Sequence, residues 1–295
     1  MGEVATDDKS DKAKAARDPF AVLEPFERFA VRVVAAFHRK PWVWMARVWQ
    51  VAWVESILWL LFSRRLDIQG LERLDDVARD TPMLVVANHR TWFDLFAVFW
   101  VLRRRRRKLR SALSFPVRAD FFYENPVGLF LCGFASGFSM YPPIFRKGRA
   151  RLFNLHSVQL LIEELKKGQT MVGFHPEGTR SKSEDPHELL PAKRGAGELV
   201  LAARPVTIPV FVTGLKNSFW GEMKENFRKQ PTRMIRMTIG APIDLKPWEN
   251  ISRDPTHAEA QSCSEALLAR IAALGEEQRA RLAPSSKIDA SAALS

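Results

Sequence analysis

Between residues 83 and 243, short runs rich in β-branched residues alternate with longer runs of helical spacing, and this restricts the chain to few architectures. "MLVVAN" (83–88), "TMVGF" (170–174) and "PVTIPVFVTG" (205–214) have the length and composition of strands. "ALSFPVRADF" adds a further strand and loop, and "TRMIRMTIGAPI" (232–243) reads as a last strand pair or an edge. Between them, "WFDLFAVFWVLRRR", "RLFNLHSVQLLIEELKKG" (151–168) and "GAGELVLAAR" (195–204) are helical. Strand and helix alternating at this pitch predict an α/β fold, a mostly parallel central sheet flanked by helices.

The segment before this region has another character. Residues 1–18 are polar and charged without an apolar core, which predicts a disordered tail and no secretory signal. Pro25 opens a helix with Phe26, Phe29, Val33 and Phe37 on one face, and Pro41 ends it. Then "WVWMARVWQVAWVESILWLLF" (42–62) brings five of the nine tryptophans. Its length suits a membrane span, but Arg47, Gln50 and Glu55 interrupt it. A buried core helix, a helix lying in one leaflet and a true span all fit the pattern. Residues 19–68 are therefore expected to form a membrane-interacting helical hairpin, with Arg64 and Arg65 at the headgroups. Residues 69–248 form the main domain and 249–283 a C-terminal helix, followed by a loose tail at 284–295.

Charge narrows the partners. With 45 Lys and Arg against 33 Asp and Glu, the chain carries a net +12, which suits nucleic acid, a phosphate-bearing small molecule or an anionic membrane face. The run "RRRRRKLR" (103–110) lacks interleaved aromatics for stacking bases, so anionic lipid headgroups are the expected contact and nucleic acid is not. Tryptophan's preference for the boundary of lipid and water points the same way. Cys132 and Cys263 are too few for a disulfide framework or a thiolate metal site, which predicts reduced cysteines and a membrane-associated protein on the cytoplasmic face.

Two stretches carry chemistry. In "NHRTWFD", His89 and Asp94 are five residues apart, about 140° around a continuous helix, so they meet only if a strand ends near His89 and a helix begins near Asp94. Asp94 would then fix one imidazole nitrogen and leave the other as a base. In "HPEGTRS" (175–181), Pro176 stops sheet pairing, Gly178 allows a tight turn, and Thr179 and Arg180 project from the sheet's carboxyl edge. The guanidinium fork of Arg180 suits a phosphate. "GFASG" (133–137) places Ser136 fourth, so it is no nucleophile elbow. "HPE" matches half of a zinc deaminase signature whose cysteine half is missing, so no metal is expected.

"NHRTWFD" resembles the His-x4-Asp motif of the glycerophospholipid acyltransferase family, which includes the 1-acyl-glycerol-3-phosphate acyltransferases. "FHPEGTRS" (174–181) resembles that family's second signature, and "PAKRGAGELVLAARPVTIPVFVTG" its following stretch. The resemblance spans about residues 70–245 and makes that region the catalytic domain. It implies acyl transfer from a thioester, acyl-coenzyme A or acyl-carrier protein, to 1-acyl-glycerol-3-phosphate, with no bound cofactor. His89 and Asp94 are implied as catalytic, and Arg146, Glu177, Gly178, Thr179, Arg180 and Lys193 as substrate-binding. Glu177 is expected to orient arginines or the acceptor's hydroxyl, and backbone N–H groups near Asn88 or Gly178 to receive the oxyanion. The chain departs from the family in two places. His175 stands where Phe is usual, and "GFSMYPPIFRKGRARL" lacks the expected Asp, leaving Arg146, Arg149 and Arg151 as candidates for one role. Other acceptors (another lysophospholipid, glycerol-3-phosphate, a lyso-amino-lipid) and a non-catalytic lipid-binding protein at the membrane surface are the alternatives.

Overall fold

In the computed structural model, which describes residues 18–78, 81–105, 112–168 and 170–283, the alternation becomes a six-stranded sheet with helices on both faces. The tails expected at the two ends, apart from Asp18, and residues 106–110 of the basic run lie outside the described residues. The chain opens with helices α1 (Pro25–Ala36) and α2 (Val43–Phe62), strands β1 (Leu66–Gln69) and β2 (Met83–Ala87), and helix α3 (Asp94–Arg105). Strands β3 (Ala112–Ser114) and β4 (Val117–Arg118), helices α4 (Ala119–Phe122) and α5 (Pro126–Ser136) and strand β5 (Pro143–Ile144) follow. Next come α6 (Arg151–Lys166), β6 (Thr170–Phe174), α7 (Gly195–Ala203) and β7 (Val206–Thr213). Helix α8 (Phe219–Phe227), strand β8 (Ile235–Ile239) and helix α9 (His257–Leu282) complete it.

The strand order is β1-β8-β7-β2-β6-β3, parallel throughout except between β7 and β8. Strands β4 and β5 form a separate parallel pair. Alternation along β2 divides the core in two. Met83, Val85 and Ala87 pack towards α1, α2 and α3, meeting Phe62 and Val98, whereas Leu84 and Val86 pack towards α6, α7 and α9, meeting Leu161, Leu199 and Leu267. Both faces are covered, as a parallel sheet requires. Helix α3 lies very close to the sheet at Gly173 of β6, where an added Cβ would come within 2.6 Å of Phe99 and 2.8 Å of Leu95. That approach sets the height of the α3 N-terminus above the strand ends.

Three expectations need correction. Residues 232–243 supply one strand, not a pair or an edge: β8 lies inside the sheet between β7 and β1. Its edge is covered by β1, a four-residue strand too short and too polar ("LDIQ") to be read from pattern, which straddles the boundary drawn between residues 68 and 69. Arg65 is not at a surface but wholly buried, where its guanidinium donates to Leu61 O at 3.0 Å and pairs with Glu222 of α8. This ties the end of α2 to α8. The inner stripe of α2 (Ala46, Gln50, Val54, Leu58, Leu61, Phe62) is buried along the helix, while Trp44, Trp49, Trp53 and Trp59 are exposed.

Candidate active site

Strand β2 ends at Ala87 and α3 starts at Asp94, so the six residues between turn the chain through the corner that the His89–Asp94 spacing demands. Asp94 builds that corner. Its Oδ2 accepts the backbone N–H groups of Arg90 and Thr91, both at 2.7 Å, and its Oδ1 accepts the Thr91 hydroxyl at 2.6 Å. The same Oδ2 lies 3.2 Å from His89 Nδ1. An ionised carboxylate only accepts, so Nδ1 carries the proton and Nε2 presents its lone pair. Burial alone would raise the Asp94 carboxyl. The His89 hydrogen bond, the His175 and His89 rings and the Thr91 hydroxyl outweigh it and hold the group below the usual carboxylate range. Asp94 is buried and His89 half-buried, so a ligand can reach the imidazole and not the carboxylate.

The loop after β6, the strand beside β2, completes the corner from the other side. Glu177 is buried, and its two carboxylate oxygens accept backbone N–H groups: Oε1 that of His89 at 2.7 Å and Oε2 that of Leu190 at 2.8 Å. The Ser181 N–H returns a bond to His89 O at 2.8 Å. Glu177 thus grips the peptide of His89 and, among the described residues, has no arginine partner. Burial raises its carboxyl above the ordinary value, with the Leu190 and His89 bonds pulling the other way. A glutamine here would turn an NH2 group towards one of two N–H donors. Glu177→Gln is therefore expected to cost about 1–3 kcal/mol of stability, the range for an unsatisfied buried polar group, read as a lower urea midpoint at an unchanged m-value.

His175 occupies the slot under the His89 ring. The two imidazoles stack with centroids 3.8 Å apart and planes tilted by 10°, and His175 Nδ1 lies 2.9 Å from Ala87 O, to which it donates. Phenylalanine would keep the stack and lose that bond. His89, Asp94 and His175 offer ligand atoms within 4.8 Å of one another, yet they do not suit a shared ion. Imidazole binds a metal in its ring plane, and two parallel planes at stacking distance have no common in-plane position. Burial, then the His89 ring, pushes the His175 imidazole down to about 3 against the opposing pull of Asp94 and the carbonyls of Ala87 and Asn88. An unfolded histidine takes up its proton near 6.5, so this group's contribution is whole above that pH and is lost as pH falls towards 3. Wild type should therefore lose stability between about pH 7 and pH 4 more steeply than His175→Phe, by up to about 1.4 kcal/mol per unit. Parallel slopes in urea melts would contradict this.

The remaining predicted residues are placed as follows. Gly178 adopts φ +64 and its N–H donates to His175 O at 2.9 Å, so that N–H is used within the turn and is not free for an oxyanion. The Asn88 side chain bonds Val212 N–H and O at 2.7 and 2.9 Å and extends the join between β2 and β7. Thr179 is exposed on the turn. Arg180 sits with its guanidinium 5.0 Å from the centroid of Trp92, inside the His89–Asp94 corner. Lys193 donates its backbone N–H to Pro176 O at 2.7 Å, and its stem lies over Gly178. The structure brings these residues together. It does not join Arg146 to them: that residue follows β5, and no described contact reaches from it to the His89 corner. Arg149 is engaged elsewhere, paired with Glu24 and Glu27 near α1.

Sequence reasoning missed three groups. Trp92 supports Arg180 and meets Phe121 edge-on at 4.8 Å, and Arg118 in turn lies 4.8 Å over Phe121, so one aromatic chain joins two arginines beside the site. Arg90 fastens the loop beyond the second signature through Ser181 Oγ, Ser183 O and Asp185 O. Trp92 and Arg90 lie within the quoted motif and were signalled by position alone; Arg118 has no motif around it.

The corner thus sets a carboxylate-held histidine against a Pro-Glu-Gly-Thr-Arg turn at the carboxyl ends of two parallel strands. The Acyltransferase family model matches residues 65–213, half of the chain, and the protein belongs to that family. Among solved structures, the chain is similar to PlsC, the 1-acyl-sn-glycerophosphate acyltransferase of Thermotoga maritima, with 18% identity and a TM-score of 0.49 over 87% of this chain and 89% of that one. No curated protein sequence matches it.

Proposed function

We propose that this acyltransferase moves a fatty acyl group from a thioester, acyl-coenzyme A or acyl-carrier protein, to the free sn-2 hydroxyl of 1-acyl-glycerol-3-phosphate, giving phosphatidate. The observation that carries the reading is the 3.2 Å contact of His89 Nδ1 with Asp94, which leaves Nε2 as the base. Nε2 takes the hydroxyl proton while that oxygen attacks the thioester carbonyl. The tetrahedral intermediate then expels the thiolate, which receives the proton back from His89. Asp94 stabilises the transient imidazolium and keeps the ring oriented. Arg180 holds the acceptor's phosphate, and Thr179 and Lys193 line the turn. Holding the hydroxyl beside Nε2 lowers the barrier by positioning.

The substrates are lipids, and residues 19–68 are proposed to seat residues 69–248 on the cytoplasmic face of a membrane, with 249–283 closing the far side of the sheet. Support comes from the exposed tryptophans of α2 and the net +12 charge, which together suit an anionic surface.

The test is to incubate the purified protein with one acyl-coenzyme A and a panel of lysolipids and to identify products by mass. Phosphatidate from lysophosphatidate is expected to dominate; turnover confined to phosphate-free acceptors would refute the acceptor assignment. Arg180→Ala is expected to raise KM for lysophosphatidate roughly ten- to a hundred-fold, the loss of a charge-assisted bond pair, and to leave a neutral lysolipid unaffected. An equal loss on both acceptors would remove the clamp.

A further inference from the structure

Helix α5 (Pro126–Ser136) has the sequence PVGLFLCGFAS, with no charged residue in three turns. Both ends are fixed. Asn125 Oδ1 accepts the Gly128 N–H at 2.7 Å, and Gly137 closes the helix at φ +55. Its inner side is buried at Gly128, Cys132 and Ser136, and Gly128 is required because a Cβ there would lie 2.2 Å from Phe121 O. Its outer side is apolar too: Val127 is 68% and Phe130 64% exposed, with Leu131 and Phe134 also open. A helix on a water-facing surface carries its polar residues outward, and this one has none to carry.

The outer face continues onto α2. Phe134 packs edge-on against Trp53 at 5.1 Å and lies 6.0 Å from Trp49, whose indole N–H donates to Phe134 O at 3.1 Å. Phe130 stacks on Phe134 at 5.4 Å. Two helices distant in sequence thus present one apolar plate, with tryptophans at the seam. Arg39 and Lys40 stand exposed where the chain enters α2, placing cations at its margin. An apolar plate with indoles and a basic margin matches the headgroup boundary of an anionic leaflet. Eleven residues reach only about 16 Å, roughly half the hydrocarbon thickness, so the helix enters one leaflet and does not cross.

We infer that α5 is a second lipid-inserting element, its outer face joined to that of α2 and buried in the acyl region of one anionic leaflet. The inference rests on the membrane-surface reading above and adds an element from within the main domain. It is tested with Phe130→Cys carrying an environment-sensitive NBD label. Cys132 and Cys263 are buried, and burial pushes the Cys132 thiol up to about 12, so neither competes for the label. Glu276→Cys, exposed on α9, is the control. With phosphatidylcholine vesicles containing phosphatidylglycerol, the label at 130 should brighten and shift to the blue, nitroxide-labelled acyl chains should quench it, and the label at 276 should not respond. Sedimentation with vesicles but an unshifted label at 130 overturns this inference alone. Failure to sediment overturns it together with the membrane-surface reading. A blue shift without vesicles that grows with protein concentration assigns the plate to a second copy of this chain and overturns it as well.

Discussion

His89→Ala will lower acyl transfer by about two to four orders of magnitude, the usual contribution of a positioned general base, while the fold survives. Survival is expected from the bonding pattern. Among the described residues the His89 side chain contributes the 3.2 Å contact with Asp94 and the stack on His175, whereas the corner itself is held through backbone groups: His89 N–H to Glu177 and His89 O from Ser181. The assay is thiol release from acyl-coenzyme A with lysophosphatidate, alongside a thermal melt. Turnover within a few-fold of wild type would remove the base assignment, and a collapsed melt would show that the ring, not the peptide, holds the corner.

Asp94→Asn is expected to lose comparable activity and, unlike His89→Ala, stability as well. An amide has one acceptor oxygen where the carboxylate has two, and here both oxygens accept: one from Arg90 N–H, Thr91 N–H and His89 Nδ1, the other from the Thr91 hydroxyl. Either amide orientation is imperfect. With NH2 towards the backbone donors, one buried and one part-buried N–H group lose their partner, and the imidazole loses the acceptor that fixes its tautomer. With NH2 towards Thr91, the hydroxyl must reverse, and a neutral oxygen replaces a charge at His89. A loss of about 1–3 kcal/mol in urea melts is the expected signature, together with a rate deficit of two or more orders. The Asp94 carboxyl is held low in the native state, so its contribution is present at neutral pH and lost only as pH falls below the unfolded value near 3.9. Asp94→Asn should thus narrow its stability gap with wild type in acid. A gap unchanged down to about pH 3 would contradict the account.

What the sequence revealed followed from periodicity and spacing. β2, β6 and β7 were legible because they are buried, rich in β-branched residues and bounded by turn residues. The corner at His89 was legible because five positions on a helix forbid a contact that a strand-to-helix junction permits. Strand β1 was not legible, since "LDIQ" earns its place only by pairing with β8, a contact made across most of the chain. For Glu177 the sequence suggests orienting arginines or the acceptor's hydroxyl, because a carboxylate would repel a phosphate. Only the fold shows that its oxygens face the backbone of His89 and Leu190. Arg65 was placed among headgroups from its position after an apolar run, yet Glu222, far along the chain, draws it inside. The degenerate stretch around Arg146 leaves several arginines open, of which Arg149 pairs with Glu24 and Glu27 near α1.

Helix α2 faces two ways: Val54, Leu58, Leu61 and Phe62 belong to the same cluster as the strands, while its tryptophans point away. Trimming the first sixty-odd residues to abolish the proposed membrane contact would therefore open the interior of the main domain. The workable route is repainting: exchange Trp44, Trp53 and Trp59 of α2, with Val127 and Phe130 of α5, for polar residues and leave every inward neighbour as it is.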